Sequence, residues 1–514
     1  MSILPSLTQI LGAENVITDV TERAFYAHDV FRAGELPAAI VRPGTVEELQ
    51  KIVRQAHATG TPLITRGGGA SYTDAYRHDS ANGITIDTSR LSKIEINEAR
   101  ATVTVEPGVT WAALREALAA KGFKTKFWGS YSGLYATVGG GMSMNAISHG
   151  QGCAADAALS FDIITGTGEM LRTGSAVNGK GVPFFRHYGP DLTGLFTGDC
   201  GALGVKARIT LALEAQPPAF ATASFSFDTF EAMHAAIRAT ALSGVVEENF
   251  GLSETLQQGQ LGKADTSAKI EMAGAVMKNA GSFTEGLGKL AKMAISGERA
   301  LAAATYAGHF IVEGVDASDA KAKISLVKKL CGEHGKEIPN SVPEVVRAMP
   351  FAPFHNVLGP KGERWVPIHT QLPHDRVVAF HTALVDLWDR ERASLDAHGI
   401  ITGGMFMAVG STAFVYEPAF YWPDAQTVYH ERMVDPDYRA GLPTYPRSDA
   451  AEAEVLRIKA AIVDLMHDHG GTHFQIGRTY PYARDHDPLH WALLKTLKRQ
   501  MDPKGILNPG VLGL

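Results

Sequence analysis

In the N-terminal part of the chain, apolar positions switch repeatedly between helical spacing and strand alternation. Val46, Leu49, Ile52, Val53 and Ala56 recur at intervals that form the stripe of an amphipathic helix. Thr45 is placed to cap its start, Glu47 and Glu48 occupy the first turn, and Gly60 is placed to close it. The run 63–65 reads as a short buried strand, and 84–87, 94–96 and 102–105 alternate as half-buried strands. Thr110 should cap a further helix carrying Leu114, Ala117 and Leu118 and ended by Gly122. With a short amphipathic helix and a polar linker inside residues 1–40, these elements predict a small α/β lobe.

A second lobe is expected from Phe127. Strands at 159–165 and 169–173 flank the tight turn Gly166-Thr167-Gly168, and 206–213 alternates as a longer strand. Pro217-Pro218 reads as a boundary. From about 220 to 469 the pattern changes to Ala- and Lys-rich helical stretches, notably 228–243 and 285–304, interleaved with aromatic strands. Residues 450–514 read as helix, then a Gly-rich stretch, then helix again. The pattern divides the chain at 1–219, 220–469 and 470–514.

Composition narrows the function classes. A chain of 514 residues, 45% hydrophobic and 20% charged, supports two domains or one elaborated domain with a sizeable core. Its formal net charge of -6 argues against nucleic acid or an acidic membrane as the main partner. Cys153, Cys200 and Cys331 are far apart, which argues against a disulfide framework or a structural zinc site. The N-terminus lacks a signal-peptide pattern and no apolar run approaches a membrane span, so a soluble cytoplasmic protein is expected.

The stretch Arg66-Gly67-Gly68-Gly69-Ala70-Ser71, directly after a strand, is the first candidate for chemistry. Consecutive glycines contribute no packing side chain and cost chain entropy, but they let the backbone approach a ligand. Successive N–H groups can form an anion cradle, with Arg66 at its lip supplying charge. A flexible turn is the plain alternative. Further glycine-rich stretches at 139–141 and 198–204 are read as two more such loops, and together they suggest an extended ligand lying across main-chain N–H groups. None fits the dinucleotide fingerprint or a P-loop.

The segments 66–72, 139–145, 191–205 and 502–510, occurring in this order, resemble the flavoprotein family of vanillyl-alcohol oxidase and para-cresol methylhydroxylase. The resemblance covers roughly the N-terminal 215 residues and the tail. It implies an α+β fold: a two-lobed FAD-binding domain of the PCMH type formed by both chain ends, with an α+β substrate-binding cap between them. It also implies FAD contacts from Arg66, Gly67, Gly68, Gly69, Ala70, Ser71, Tyr131, Thr137, Gly139, Gly140, Gly141, Asn145, Gly198, Gly201, Gly204, Val205 and Asn508. In that family the first loop holds the pyrophosphate and the others wrap the rest of the cofactor. Members that tether flavin from the first loop have a histidine beside the glycines, where this chain has Ala70. The cap segment used for tethering elsewhere corresponds to 409–416, where Tyr416 is the one nucleophile of the right type. Noncovalent FAD is expected first.

The resemblance implies hydride transfer from an alcohol or benzylic carbon to flavin N5, with oxygen or a redox protein taking the electrons. The segment Trp365-Val366-Pro367-Ile368-His369 resembles the phenol-oxidising branch, which favours an aromatic, para-hydroxylated substrate. A fixed cation near the flavin and hydrogen-bond donors to a phenolate suit that chemistry. Arg478 is the candidate cation, Tyr480 and Tyr482 the candidate donors, Arg484 a second cation and Glu417 a candidate base. Ion pairing and core packing are the ordinary alternatives for these residues. Trp128, Tyr131 and Tyr135 could face the isoalloxazine. A D-2-hydroxy-acid dehydrogenase is the runner-up, although His467, His469 and His473 lack the Glu-His-Gly of its metal-dependent members, and no metal is expected. A non-catalytic flavin-fold binding protein is the third reading. A small-molecule substrate and a possible homo-oligomer complete the expected partners.

Overall fold

The computed structural model describes residues 3–148, 152–261 and 304–514; apart from residue 304, the helical pattern at 285–304 lies outside them. The chain forms two compact units. The first comprises Met1–Ile147, Cys153–Gln216 and Phe474–Leu514, and the second Ser148–Gly152 and Pro217–His473.

The first unit contains two main sheets. In one, β1 (Val16–Ile17), β2 (Ala39–Val41), β3 (Leu63–Arg66) and β4 (Ile84–Asp87) lie in the order β1-β2-β4-β3, and β2 and β3 both run parallel to β4. Strands that run the same way need a crossover, and α3 (Val46–Thr59) carries the chain from β2 past the place of β4 to β3. The Thr45 hydroxyl accepts the Glu48 N–H at 3.1 Å, and Gly60 ends the helix at φ 67°, as the sequence pattern predicts. Leu49, Ile52 and Val53 of α3 pack with Leu63, Ile84 and Ile86 of the strands and with Leu7 and Leu11 of α1 (Leu4–Leu11).

The other sheet is antiparallel: β5 (Ile94–Asn97), β6 (Thr102–Val105), β8 (Ala158–Ile164), β9 (Met170–Arg172) and β10 (Val205–Ala212), in the order β5-β6-β10-β8-β9. The strands at 94–96 and 102–105 therefore belong to this sheet and not to the first lobe. Local alternation reports that a strand is half-buried, but not which sheet covers it. A two-stranded ribbon joins β7 (Phe123–Lys124) to β11 (Glu214–Ala215). The helix begun by Thr110 stops at Ala119, three residues before Gly122.

The chain's end closes the first unit. The Leu63 N–H donates to Ile506 O at 2.7 Å and the Asn508 N–H to Leu63 O at 2.8 Å, so the tail runs beside β3. Asn508 Oδ1 accepts the Thr65 N–H at 3.0 Å, while its Nδ2 donates to Cys200 O at 2.6 Å. Buried Lys498 donates to Ala202 O, Leu507 O and Asp502. One polar side chain thus ties the tip of β3 to the loop before β10.

A buried carboxylate supports the turn after β3. Asp29 accepts the N–H groups of Phe31, Arg32 and Asp74, each at 2.8 Å. Asp74, at φ 59°, is held by Arg32 at 2.7 Å and Arg77 at 3.1 Å. Burial, reinforced by the Asp74 charge, pushes Asp29 up to about 6.

The second unit is built on an eight-stranded sheet: β12 (Ala219–Phe227), β13 (Glu248–Ser253), β14 (Tyr306–Gly314), β15 (Lys336–Ile338), β16 (Arg364–Pro367), β17 (Thr370–Pro373), β18 (Ile401–Val409) and β19 (Ala413–Trp422). Its order is β15-β12-β14-β13-β18-β19-β16, with β17 also paired to β19. The pattern at 228–243 becomes the helix Phe230–Ser243, capped by Thr229 and ended by Gly244 at φ 69°. Val377–Ala397 and Asp449–Asp468 are the longest helices described. Among the described residues no helix is long and apolar enough to cross a membrane.

Asn508→Ala should lower the unfolding free energy by about 1–3 kcal/mol, because the Thr65 N–H and Cys200 O both lose buried partners. An unchanged urea midpoint would refute that role. Asp29 gives a pH signature. Its folded-state value lies above the ordinary carboxylate value, so the folded chain holds the proton more tightly than the unfolded chain. Its contribution is therefore most favourable in acid and declines as pH rises from about 4 to about 6, then stays constant. Asp29→Asn should flatten that part of the profile and cost about 1–3 kcal/mol, since the Asp74 N–H loses its acceptor. Thermal melts of both proteins across this range are the measurement.

Candidate functional site

The loop after β3 sits at the carboxyl end of a parallel strand, where open α/β sheets place their ligands. Among the described residues, the main-chain N–H groups of Gly67, Gly68, Ala70 and Ser71 donate to no protein acceptor. Gly67, Gly68 and Ala70 are only half-buried. A row of unspent donors on one short loop can serve as an anion cradle. The glycines are also required by the protein itself. A Cβ on Gly68 would lie 1.7 Å from Tyr135 O, and one on Gly67 would lie 2.3 Å from Thr137 Oγ1. Gly69 is at φ 69°, and a Cβ there would meet the Arg66 guanidinium at 2.5 Å. The expectation that three adjacent glycines serve only a ligand is corrected: the loop lies directly on the segment 135–137.

Arg66 is not at the lip. It is 2% exposed, with its guanidinium over the rings of Phe25 at 4.5 Å, Tyr26 at 4.7 Å and Tyr76 at 5.4 Å. One of its nitrogens donates to Phe25 O at 3.2 Å. As the last residue of β3 it points into the aromatic layer beneath the loop, so the cradle's open donors are amides.

The stretch 139–141 is not a loop. It lies inside the helix Val138–Met144, capped by Thr137. Its first N–H groups are spent: Val138 on Val109 O, Gly139 on Pro107 O, and Gly140 on Thr137 Oγ1. Gly139 and Gly141 let the helix pack on Pro107 and Trp111, where a Cβ would meet atoms at 2.6 and 2.8 Å. Asn145 ends the helix at φ 46° and accepts the Ala155 N–H. In the stretch 198–204 most N–H groups are likewise spent. The Gly198 and Cys200 N–H groups donate to Met142 O and Ser143 O, and Gly201 donates to Asp199. A Cβ on Gly204 would meet Ile163 at 2.3 Å, and Val205 begins β10. Of the three glycine-rich stretches, only the first shows a row of open donors. The other two serve close packing that brings its neighbours together.

The tail residues divide. The Arg478 guanidinium donates to Asp74 O and Pro509 O and lies 3.4 Å from Asp79. It therefore fastens the turn at 74 to the tail, a different task from the free flavin or phenolate cation expected. Tyr480 is buried, and Arg484 sits beside Asp485 at 4.0 Å. Tyr482 packs on the cluster of Cys200, Ala202, Val511 and Leu512, and burial raises its phenol so that it remains a donor. Asn508 is a clip between strand and loop. Cys200 carried no sequence signal, yet its sulfur accepts the Gly477 N–H at 3.4 Å, and burial pushes its thiol up to about 12. Tyr131 is 37% exposed; Trp128 is buried under Arg115 at 4.7 Å.

In the second unit, Glu417 is half-buried on β19, opposite Met405. Tyr416 is buried on the adjacent position and its hydroxyl lies 2.8 Å from His381 Nδ1. It belongs to a ring cluster in which Phe230 stacks on His381 at 3.9 Å and meets Phe406 and Tyr416 at 5.2 and 5.4 Å. Burial raises the Tyr416 phenol well above its ordinary value, which disfavours the phenolate needed for a flavin tether. His234 and His374 pair at 3.1 Å beside this cluster, and burial lowers both. These contacts join residues distant in sequence, and no local spacing announced them. His473 donates its Nδ1–H to His369 O at 2.8 Å. Among the described residues no three His, Cys, Asp or Glu side chains group as a metal site.

Comparison with known proteins bears on the cofactor and the fold. The model described as an FAD binding domain matches residues 37–174, and the FAD linked oxidases C-terminal domain matches 440–512. An uncharacterised FAD-linked oxidoreductase of Mycobacterium tuberculosis is 28% identical over 248 residues, 47% of this chain and 52% of that protein. The D-2-hydroxyglutarate dehydrogenase of Xanthomonas citri pv. viticola is 31% identical over 46% of this chain and 50% of its own. The matches span about half the length of these curated relatives. In fold, the 4-ethylphenol oxidase of Gulosibacter chungangensis superposes with TM-score 0.71 at 17% identity, covering 99% of this chain and 96% of that one. A p-cresol methylhydroxylase superposes with TM-score 0.70, also at 17% identity, covering 100% and 96%. The chain thus carries an FAD binding domain match near its start and a match to the C-terminal domain of FAD linked oxidases near its end, in the fold shared with the 4-ethylphenol oxidase and the p-cresol methylhydroxylase.

Proposed function

We propose that the chain is an FAD-dependent oxidoreductase that removes hydride from an alcohol or benzylic carbon of a small aromatic substrate. The observation that carries this reading is the open row of N–H groups at Gly67, Gly68, Ala70 and Ser71, at the carboxyl end of β3. Those donors suit a pyrophosphate, which would be held without a tether. Bound FAD would supply the two-electron acceptor. Glu417 is the candidate base for a substrate hydroxyl, and Tyr482, kept as a phenol by burial, a candidate donor to a substrate oxygen. Arg478 contributes by holding the tail next to the turn at 74.

A second reading has an observation in its favour. Curated relatives include the D-2-hydroxyglutarate dehydrogenase and the mitochondrial D-lactate dehydrogenase (cytochrome) of Arabidopsis thaliana, 27% identical over 48% of this chain and 42% of that protein. The aromatic reading is supported by the ring-rich cap sheet and by the Trp365–His369 pattern, which belong to this chain's own residues.

Purified protein should be yellow, and acid precipitation should release the colour into the supernatant. Anaerobic mixing with para-alkylphenols or vanillyl-type alcohols should bleach it, whereas bleaching only by D-lactate or D-2-hydroxyglutarate, abolished by EDTA, would establish the second reading. A flavin that no substrate reduces would leave a binding protein. Gly68→Ala tests the cradle separately: the added Cβ forces the loop off Tyr135, and flavin content should fall by roughly tenfold or more, consistent with a loss of at least about 1.4 kcal/mol of affinity. Full flavin occupancy in a folded Gly68→Ala protein would remove the first loop from the cofactor site.

A further inference from the structure

The antiparallel sheet of the first unit carries a polar groove that the flavin reading leaves unused. Thr104, Thr210 and Ser160 stand side by side across β6, β10 and β8, with 2.9 Å between the two threonine hydroxyls. Two residues along each strand, and so on the same face, Arg208 stands opposite Asp162 and Asp162 opposite Arg172. These side chains line a groove of about 620 Å³, with Glu95, Arg100 and the segment around Asn178-Gly179-Lys180-Gly181 as walls. That volume is within the range of small-molecule sites.

The charge is the informative part. Arg100, Arg172, Lys180 and Arg208 face the groove against only Glu95 and Asp162, on a chain whose net charge is -6. Asp162 holds Arg208 at 3.3 Å and Arg172 at 3.7 Å. One carboxylate thus positions two guanidiniums, each with five N–H donors, and leaves most of those donors for a ligand. Among the described residues neither the Arg100 guanidinium nor the Lys180 ammonium has an acidic partner. A Cβ placed on Gly179 would meet nothing within 4 Å, so the wall beside Lys180 is open.

We infer that this groove binds a small molecule carrying two or more clustered oxyanions, at a site separate from the cradle after β3. Bidentate guanidiniums recognise phosphate and carboxylate alike, so the test uses a probe of each. Isothermal titration of the flavin-loaded protein with pyrophosphate, and separately with citrate, should give saturable binding by at least one. Arg100→Ala combined with Lys180→Ala should weaken it by roughly tenfold or more. Both replaced side chains are exposed, so the variant should keep the parent melting temperature and flavin spectrum. Pyrophosphate binding with citrate silent assigns phosphorylated ligands, and the reverse assigns polycarboxylates. No saturable heat from either probe, or equal affinity in the double variant, overturns the inference.

Discussion

Everything in the first unit depends on how closely two stretches of main chain approach each other behind the first glycine loop. A Cβ at residue 68 would stand 1.7 Å from the carbonyl oxygen of Tyr135, well inside any contact distance, so no side chain at that position leaves the neighbourhood intact. The loop therefore turns its back to the protein and presents N–H groups on its other side. Unspent N–H groups are costly when buried and useful when a ligand accepts them. The same absence of side chains produces both outcomes. The glycines let the loop lie flat on 135–137, and lying flat leaves its donors without protein acceptors.

That geometry has to be held from outside the loop, because glycine-rich chain has little stiffness of its own. Three supports meet there. Asp29 and Asp74 fix the turn that follows. The Arg66 side chain, packed on Phe25, Tyr26 and Tyr76, fills the space beneath Gly69. The tail, hundreds of residues later, hydrogen-bonds along β3 and reaches Cys200 through Asn508. A cradle closed by both ends of the chain requires the C-terminal segment before it is rigid. This accounts physically for a first unit assembled from both chain ends, with Phe474–Leu514 returning to it after the second unit.

Much of the fold was legible because its signals are local. The cap at Thr45, the stop at Gly60, the helix Phe230–Ser243 and the strands either side of Gly166-Thr167-Gly168 each follow from a few neighbouring residues. Sheet membership was not legible: β5 and β6 have the alternation expected of any half-buried strand, and β10, the strand that joins this pair to the rest of the sheet, lies far along the sequence. The glycine-rich stretches misled in a specific way. Glycine reports only that something comes close, and at 139–141 that something is Pro107 and Trp111 packing on a short helix. For Arg478 the sequence showed a cation but not its partners, the carbonyls of Asp74 and Pro509, which lie far away in the chain or beyond the next helix. The contacts of His381 with Tyr416 and of His234 with His374 carried no pattern at all, because they join a helix to a strand or turn far away in the chain.

The fate of Arg66 bears on how such a site discriminates. A cation at the lip would attract any anion, at a range set by salt. With that charge buried among rings, the loop is left with amide dipoles, which act only at hydrogen-bond distance and do not titrate. Selection then rests on shape: a ligand has to place oxygens along successive N–H groups to gain anything. The groove over β6, β10 and β8 has the opposite character, with charged side chains of long reach on an open sheet face. One unit thus meets negative charge in two ways, by fixed backbone where geometry has to be strict and by exposed side chains where attraction can be general.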